Sequence, residues 1–282
     1  HDAVEISVAP PLDAAGDPAA PTPVAGVRGM APGATGDVLI LPYDDIEAVT
    51  GLLTGHADEL ACILLDPKAG MLASVEGWAE AVQALAVEHE ILLIADEVIT
   101  GFGRTGKMFA IEHSGVEPDM MTMAKSMADG MPISAIVGTD KVMDASGPNS
   151  LGGTYTGSPT ACAAALAVME IFEEENILEK SQALGEKLAA RFNEWQGKFD
   201  CIDHVRNMGA MAAFELVNNK TDRTPNPELA AALCKKAREE GLILLSCGMY
   251  GNTIRFLMPV TIEDDVLNEG LDIIESCLES LI

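Results

Sequence analysis

A lysine within an apolar segment is the first residue of this sequence that could do chemistry. Lys125 lies in TMAKSMADGMP, between methionine and alanine residues. Lysine is rarely buried without a function, and partial desolvation weakens the preference of its amine for the charged form. A neutral amine can attack a carbonyl carbon and form a Schiff base. The alternative is a surface lysine at the end of a strand or in a helical turn.

Two carboxylates follow short apolar segments that are typical of buried strands. Asp66 ends ACILLD and Asp96 ends ILLIADEV. Ligands of parallel sheets bind at the carboxyl ends of the strands, so both side chains are candidates for a site. One use of Asp96 is to keep a pyridine nitrogen protonated, which makes the ring an electron sink. The alternatives are a helix N-cap or a salt bridge. We expect the neighbouring Glu97 to be structural.

Two further segments could bind anions. The turn LGGTYTGSP (151–159) precedes a helix, and its backbone N–H groups with the Thr154 and Thr156 hydroxyls could hold a phosphate. Arg255 lies in the strand-like NTIRFLMP, where it could bind a substrate carboxylate. The alternatives are an ordinary turn and a structural ion pair. The loop GFGRTG (101–106) is interpreted as a turn without a catalytic role.

Taken together, these residues fit one chemistry. A Schiff-base lysine, a ring-nitrogen carboxylate, a phosphate turn and a carboxylate-binding arginine are the groups that pyridoxal phosphate and an amino acid require. The five histidines show no metal-ligand spacing, so no metal site is expected.

The elements that must position these residues alternate between apolar strands and helices. Strands are predicted at VLILPY, ACILLD, ILLIADEV, DMMTM and ISAIVG, with a helix opened by Asp44 or Asp45 and another from Val75 to His89. This alternation predicts an α/β fold with a mostly parallel sheet. We predict a large domain over 1–170, a connecting helix over 171–198 within a long helical stretch, and a smaller α+β domain over 199–282.

Charge excludes several classes of partner. The 282 residues include 17 lysines and arginines against 44 acidic residues, a net charge of −27. Such a surface repels nucleic acids and anionic membranes. No apolar segment predicts a transmembrane helix, and the first residues do not resemble a signal peptide. Six scattered cysteines are typical of reduced thiols, mostly core residues, and predict a cytoplasmic location.

Four segments resemble the class III, ω-amino-acid type aminotransferases that depend on pyridoxal phosphate. They are ILLIADEVITGFGRTGKMFA, PDMMTMAKSMADGMPISAIVG, LGGTYTGSPTACAAALAV and LLSCGMYGNTIRFLMPVTI, and the last two are most similar to bacterial 4-aminobutyrate aminotransferases. The separation of 29 residues from Asp96 to Lys125, and again from Lys125 to Thr154, fits that family. The resemblance implies fold-type I, a homodimer, and amino-acid and keto-acid substrates such as 2-oxoglutarate.

The resemblance also implies a role for each matching residue. Lys125 would form the Schiff base with the cofactor and move the proton at the substrate α-carbon. Asp96 would pair with the pyridine nitrogen, and Val98 would pack on one face of the ring. Thr154 would bind the phosphate of the other subunit's cofactor. Arg255 would bind the α-carboxylate of glutamate or 2-oxoglutarate.

The sequence departs from that family in three places. It is expected to be truncated at the N-terminus, without the phosphate loop and the ring-stacking aromatic residue. Where the 4-aminobutyrate enzymes have E-P-V-Q-G-E-G-G, residues 66–72 read DPKAGML, so the glutamate that gates the substrate arginine is missing. Ile99 replaces a glutamine that bonds the cofactor. Two alternatives stay open, namely a glutamate-semialdehyde-type aminomutase and a non-catalytic truncated fragment.

Overall fold

The computed structural model describes residues 2–43, 45–68, 74–148 and 150–282. These residues form two compact units. The first comprises His1–Asp96, His113–Thr122 and Ile136–Gly147, and the second comprises Glu97–Glu112, Met123–Ala135 and Pro148–Ile282.

The first unit is built on a four-stranded sheet in the order β3-β4-β5-β6, in which β3, β4 and β5 run parallel. The predicted parallel sheet is therefore confirmed for these three strands. The elements, in chain order, are β1 (Gly16–Asp17), β2 (Ala20–Pro21), α1 (Ile46–His56), β3 (Cys62–Leu65), α2 (Trp78–Glu88), β4 (Leu92–Asp96), β5 (Met120–Met123), β6 (Ala135–Gly138) and α3 (Asp140–Met143).

Local sequence explains where these elements begin and which side is buried. Asp45 caps α1, because its carboxylate accepts a hydrogen bond from the Ala48 N–H at 2.9 Å. The other candidate cap, Asp44, lies outside the described residues. Burial alternates along β3 and β4, which places Leu65 and Leu93 in the core with helix residues such as Val82.

The prediction of a strand at VLILPY is wrong, because residues 38–43 have no strand structure. Side chains anchor this segment instead of a backbone ladder. The Trp78 indole N–H donates to the Pro42 carbonyl at 2.8 Å, and the Tyr43 hydroxyl donates to the Asp66 carbonyl at 2.7 Å. Stacking of Tyr43 on Trp78 completes the anchor. Proline has no N–H to give to a ladder, which disfavours strand pairing at this point.

The second unit contains the helices and a four-stranded antiparallel sheet in the order β7-β8-β10-β9. The strand pairs predicted on either side of Gly209, and in the segment around Arg255, are confirmed. The elements are α4 (Pro159–Glu175), α5 (Ile177–Lys198), β7 (Ile202–Met208), β8 (Met211–Leu216), α6 (Pro227–Glu239), β9 (Leu245–Cys247), β10 (Thr253–Phe256) and α7 (Asp264–Leu281).

The long helical stretch predicted after Ser158 is present but divided at Asn176. Asn176 has a φ of 52°, in the left-handed region, so it ends α4 and begins α5. Asparagine tolerates this conformation better than most residues. The predicted domain boundaries at 170 and 198 stay a prediction.

Aromatic side chains form the centre of the second unit. The rings of Phe192 and Trp195 on α5 contact Phe214 on β8, and Phe192 also contacts Phe256 on β10. All four are buried, together with aliphatic residues of α6 and α7. Burial of this apolar area is the main stabilising contribution to the unit.

No helix in the described part of the chain combines the length and the apolar character that crossing a membrane requires.

Ion pairs join the outer surfaces of α5 and α7. Glu275 accepts hydrogen bonds from Lys198 at 2.5 Å, from the Trp195 indole at 3.0 Å and from Arg191 at 2.8 Å. Hydrogen bonds from Lys198 and Trp195, helped by the two positive charges, lower the pKa of Glu275 from 4.5 to about 2. A carboxyl group held in this way stabilises the folded state only while it is ionised.

We expect Glu275→Gln to lower the free energy of unfolding at pH 7 by about 1–2 kcal/mol, since charged hydrogen bonds are lost. Because folding lowers this pKa, the stabilisation is complete above pH 4.5 and disappears as the pH falls towards 2. Urea titration at pH 7 and at about pH 3 should therefore show a difference between parent and variant that shrinks in acid.

Glu279→Gln is the matched control, because Glu279 shares Lys198 but its side chain is 54% exposed. Its effect should stay within about 0.5 kcal/mol. If the difference in the free energy of unfolding between the parent protein and Glu275→Gln were the same at pH 7 and at acid pH, this account of Glu275 would be contradicted.

Candidate functional site

Lys125 lies directly after β5, where a turn of 3-10 helix spans Lys125–Met127. Its φ of 45° is in the left-handed region, which a lysine rarely adopts and which is common at functional sites. The side chain is exposed, so the prediction that Lys125 is partly desolvated is wrong for this chain. The turn ends the strand and leaves the lysine at an open groove of about 400 Å³.

Residues that follow Lys125 in sequence form this groove. We call it the Lys125 groove, and it is lined by Lys125, Ser126, Asp129, Gly130, Met131, Pro132 and Ile133. Asp129 also has a left-handed φ, of 40°. Two strained residues within five positions fix a tight bend, which presents the lysine at the groove's edge.

Asp96 ends β4, as predicted, and pairs in register with Thr122 on the parallel strand β5. The Thr122 hydroxyl donates to Asp96 Oδ1 at 3.3 Å, which limits the rotation of the carboxylate. Thr122 was missed in the sequence. The sequence feature that could have identified it is that Thr122 is the one hydroxyl residue in the apolar strand MMTM.

The carboxyl ends of β3 and β4 carry negative charge close to Tyr43. Burial raises the pKa of the Tyr43 phenol far above its usual value, and the charges of Asp66 and Asp96 add to that effect. Asp96 is the last residue of β4 and Asp66 directly follows β3, so the predicted placement of both carboxylates at strand ends is confirmed. Tyr43 stays protonated and acts as a hydrogen-bond donor to the Asp66 carbonyl.

Glu97 is completely buried and structural, as predicted. Its carboxylate accepts hydrogen bonds from the backbone N–H groups of Ala110 at 3.0 Å and Ile111 at 2.7 Å, and from the Thr100 hydroxyl. A buried carboxylate is stable only with such donors. Glu97 therefore closes residues 97–111 into a fixed loop.

The predicted phosphate turn exposes its threonine. Thr154 is exposed, and the turn is closed by a hydrogen bond from the Thr156 N–H to the Gly153 carbonyl at 3.1 Å. A Cβ added at Gly152 would meet no atom within 4 Å, so the turn is open to solvent. Phosphate binding by Thr154 stays a prediction, as does ring contact by Val98, which is half-buried.

Arg255 lies on β10 between Ala213 of β8 and Leu245 of β9. None of the ion pairs among the described residues includes it, whereas Arg206 on the same sheet pairs with Glu215 at 2.9 Å. Within the described chain, Arg255 Nε is buried without a hydrogen-bond partner. Buried polar groups are nearly always paired, so this atom has room for an acceptor, and carboxylate binding by Arg255 stays a prediction.

The structure joins some of the predicted site residues and not others. Asp96 is paired with Thr122, which lies in the same unit. Among the described residues, those that line the Lys125 groove do not include Val98, Thr154 or Arg255. Their assignment to one site stays a prediction. Most of the segment where the gating glutamate was expected to be missing, residues 69–73, lies outside the described residues.

The cysteines are free thiols, and their burial varies. Cys201 and Cys277 are buried core residues, as predicted, and burial raises the pKa of each thiol. Cys62 is exposed on β3, so the core interpretation is wrong for that residue. Among the residues that the structure describes, no group of histidine, cysteine and acidic side chains could hold a metal ion.

Comparison with known proteins identifies relatives of this chain. A 5-aminovalerate aminotransferase of Pseudomonas aeruginosa is 47% identical over 243 residues, which are 84% of this chain and 57% of that protein. A 4-aminobutyrate aminotransferase of Escherichia coli is 45% identical over 225 residues, 79% of this chain and 53% of that protein. The chain thus spans little more than half the length of these relatives.

Comparison with solved structures gives the same result. A transaminase from the marine bacterium Virgibacillus has a TM-score of 0.78 at 28% identity, over 84% of this chain and 56% of that one. This likeness confirms the predicted fold-type I architecture. The family model described as aminotransferase class-III matches residues 29–278. The chain therefore belongs to the class-III aminotransferase family.

Proposed function

We propose that this chain acts as an aminotransferase that depends on pyridoxal phosphate. It would move an amino group between an ω-amino acid, such as 4-aminobutyrate or 5-aminovalerate, and a keto acid such as 2-oxoglutarate. The observation that carries the proposal is the accessible amine of Lys125, held in a left-handed turn at the edge of a groove. The names of the two relatives support the substrate class.

The chemistry of the available side chains fits the cofactor. An accessible primary amine can bind an aldehyde carbon, and a strand-end carboxylate can hold a protonated ring nitrogen. The exposed Thr154 turn offers a hydroxyl and backbone N–H groups for a phosphate. The buried, unpartnered Nε of Arg255 is suited to a carboxylate, which would supply the missing acceptor.

Each residue of the chain then has a defined task. The cofactor, when bound, supplies a pyridinium ring that delocalises the negative charge formed at the substrate carbon. Asp96 would keep the ring nitrogen protonated, and Thr122 orients Asp96 by donating to Oδ1. The Lys125 amine would remove a proton from the substrate carbon and return it to a neighbouring atom. Arg255 would bind the substrate carboxylate and so fix the reacting carbon.

A second copy of the chain is part of the proposal. Apolar side chains around the Thr154 turn are unusually exposed, with Leu151 at 63%, Tyr155 at 88% and Leu166 of α4 at 65%. Exposed apolar patches are typical of interaction surfaces. A homodimer would cover them and would bring Thr154 to the phosphate of the other subunit. The cytoplasmic location stays a prediction.

The first prediction concerns cofactor attachment. Pyridoxal phosphate added to the purified chain should become covalently attached to Lys125, because a left-handed turn holds this amine at the edge of a groove that can receive the cofactor. Borohydride reduction followed by peptide mass analysis locates the attachment. Lys125→Ala should abolish it, whereas Lys141→Ala, which removes an exposed lysine on α3, should leave it intact.

The outcomes also separate the alternatives. Consumption of 2-oxoglutarate with 4-aminobutyrate or 5-aminovalerate supports the aminotransferase. Attachment with rearrangement of one substrate and no net use of a keto acid would indicate the aminomutase. A folded chain that attaches no cofactor would identify a non-catalytic fragment and refute the proposal.

The second prediction concerns Arg255→Leu. The substitution should raise KM for 2-oxoglutarate roughly 100-fold, because charged hydrogen bonds worth about 3 kcal/mol are lost. The Tm without ligand should stay the same or rise slightly, since a buried donor without a partner is removed. Steady-state kinetics and thermal unfolding measure the two effects.

Arg238→Leu is the matched control, because Arg238 is exposed in the last turn of α6. It should change neither KM nor Tm. A large drop in Tm for Arg255→Leu would assign Arg255 a structural role instead.

A further inference from the structure

Arg104 links the GFGRTG loop to the strand that carries Arg255. Its guanidinium Nη1 donates to the carbonyl oxygen of Met258 at 2.6 Å. Met258 lies two residues beyond the end of β10, on which Arg255 is placed. Arg104 and Met258 are 154 positions apart in the sequence, so the hydrogen bond joins distant segments of one unit.

Side chains of α5 fix the backbone around Arg104. The Ser181 hydroxyl donates to the Arg104 carbonyl at 3.2 Å, and the Gln182 side chain donates to the Gly106 carbonyl at 3.0 Å. A Cβ added at Gly209, in the turn between β7 and β8, would lie 2.4 Å from the Thr105 carbonyl carbon. The loop is therefore wedged between α5 and this turn, and the base of the Arg104 side chain has little freedom.

Asp129, a residue that lines the Lys125 groove, affects the pKa of Arg104. Burial lowers the pKa of Arg104 below its usual value, and the negative charge of Asp129 opposes that effect. Asp129 lines the groove together with Lys125. One half-buried guanidinium is thus engaged by a carbonyl beyond β10 and influenced by a carboxylate of the groove.

We propose that Arg104 is a positioning residue that holds the strand of Arg255 in place through its hydrogen bond to the Met258 carbonyl. Its planar guanidinium donates to the Met258 carbonyl with a fixed direction, which a lysine ammonium provides with less geometric control. The consequence for substrate binding rests on the proposed function, since Arg255 would bind the carboxylate of the substrate whose carbon reacts at Lys125.

The mechanical part of the proposal can be tested without any cofactor. Amide hydrogen exchange, read by mass spectrometry, should become about tenfold faster in Arg104→Met at residues 253–258, which precede or include the lost hydrogen-bond acceptor. Peptides of β3 and β4 should be unchanged. Arg104→Lys should restore much of the protection, and the surface control Arg238→Met should behave like the parent protein.

The functional part is read from substrate binding. In the chain loaded with pyridoxal phosphate, Arg104→Met should raise KM for 2-oxoglutarate about tenfold with a smaller change in kcat, because Arg255 is displaced. Unchanged exchange, or faster exchange spread evenly through the chain, would overturn the proposal. If the parent chain attached no cofactor, the proposed function would fail, while the exchange experiment would still decide the role of Arg104.

Discussion

A buried carboxylate must be surrounded by hydrogen-bond donors, and Glu97 finds them in residues that are 13 and 14 positions further along the chain. Each hydrogen bond to a charged group contributes about 1.5–3 kcal/mol, and leaving the charge unpaired would cost more. Residues 97–111 must therefore fold back on themselves. That requirement shapes the chain directly after Asp96 and sets the position from which Arg104 extends.

Strand geometry explains how a charged residue can occupy an apolar strand of the second unit. Ile254 and Phe256 point from β10 into the aromatic core, and Arg255, between them, lies on the opposite face. The core therefore fixes the strand, and the strand fixes the arginine. Its register partner on β8 is Ala213, a residue with a small side chain. The arrangement costs stability at Nε, which is the usual expense of a site prepared for a ligand.

The sequence could predict features that depend on periodicity and on local chemistry. Buried strands that end in Asp66 and Asp96, the cap at Asp45 and the structural role of Glu97 all belong to this group. The apolar composition of residues 38–43 predicted a strand that is not there, because pairing with another strand is a tertiary property that composition does not encode. The exposure of Lys125 agrees with the alternative of a surface lysine at the end of a strand, whereas the apolar neighbours of Lys125 in the sequence had suggested partial desolvation.

Roles that arise from contacts between distant segments were out of reach of sequence reasoning. Thr122 became visible only through its register with Asp96, and Arg104 only through its bond to Met258. The turn interpretation of GFGRTG was correct for its glycines, since Gly103 and Gly106 have positive φ angles. The arginine between them has a task that no short motif describes.

The outer strand of the first sheet has a consequence for the behaviour of the protein in concentrated solution. Among the described residues β3 stands at the end of the strand order, and Leu64 on it is 46% exposed. An edge strand with apolar side chains and free backbone groups is a template onto which another chain can add a strand. Cys62, exposed on the same face, adds the risk of intermolecular oxidation. Aggregation of this protein is therefore expected to begin at β3 and to be slowed by reducing agents.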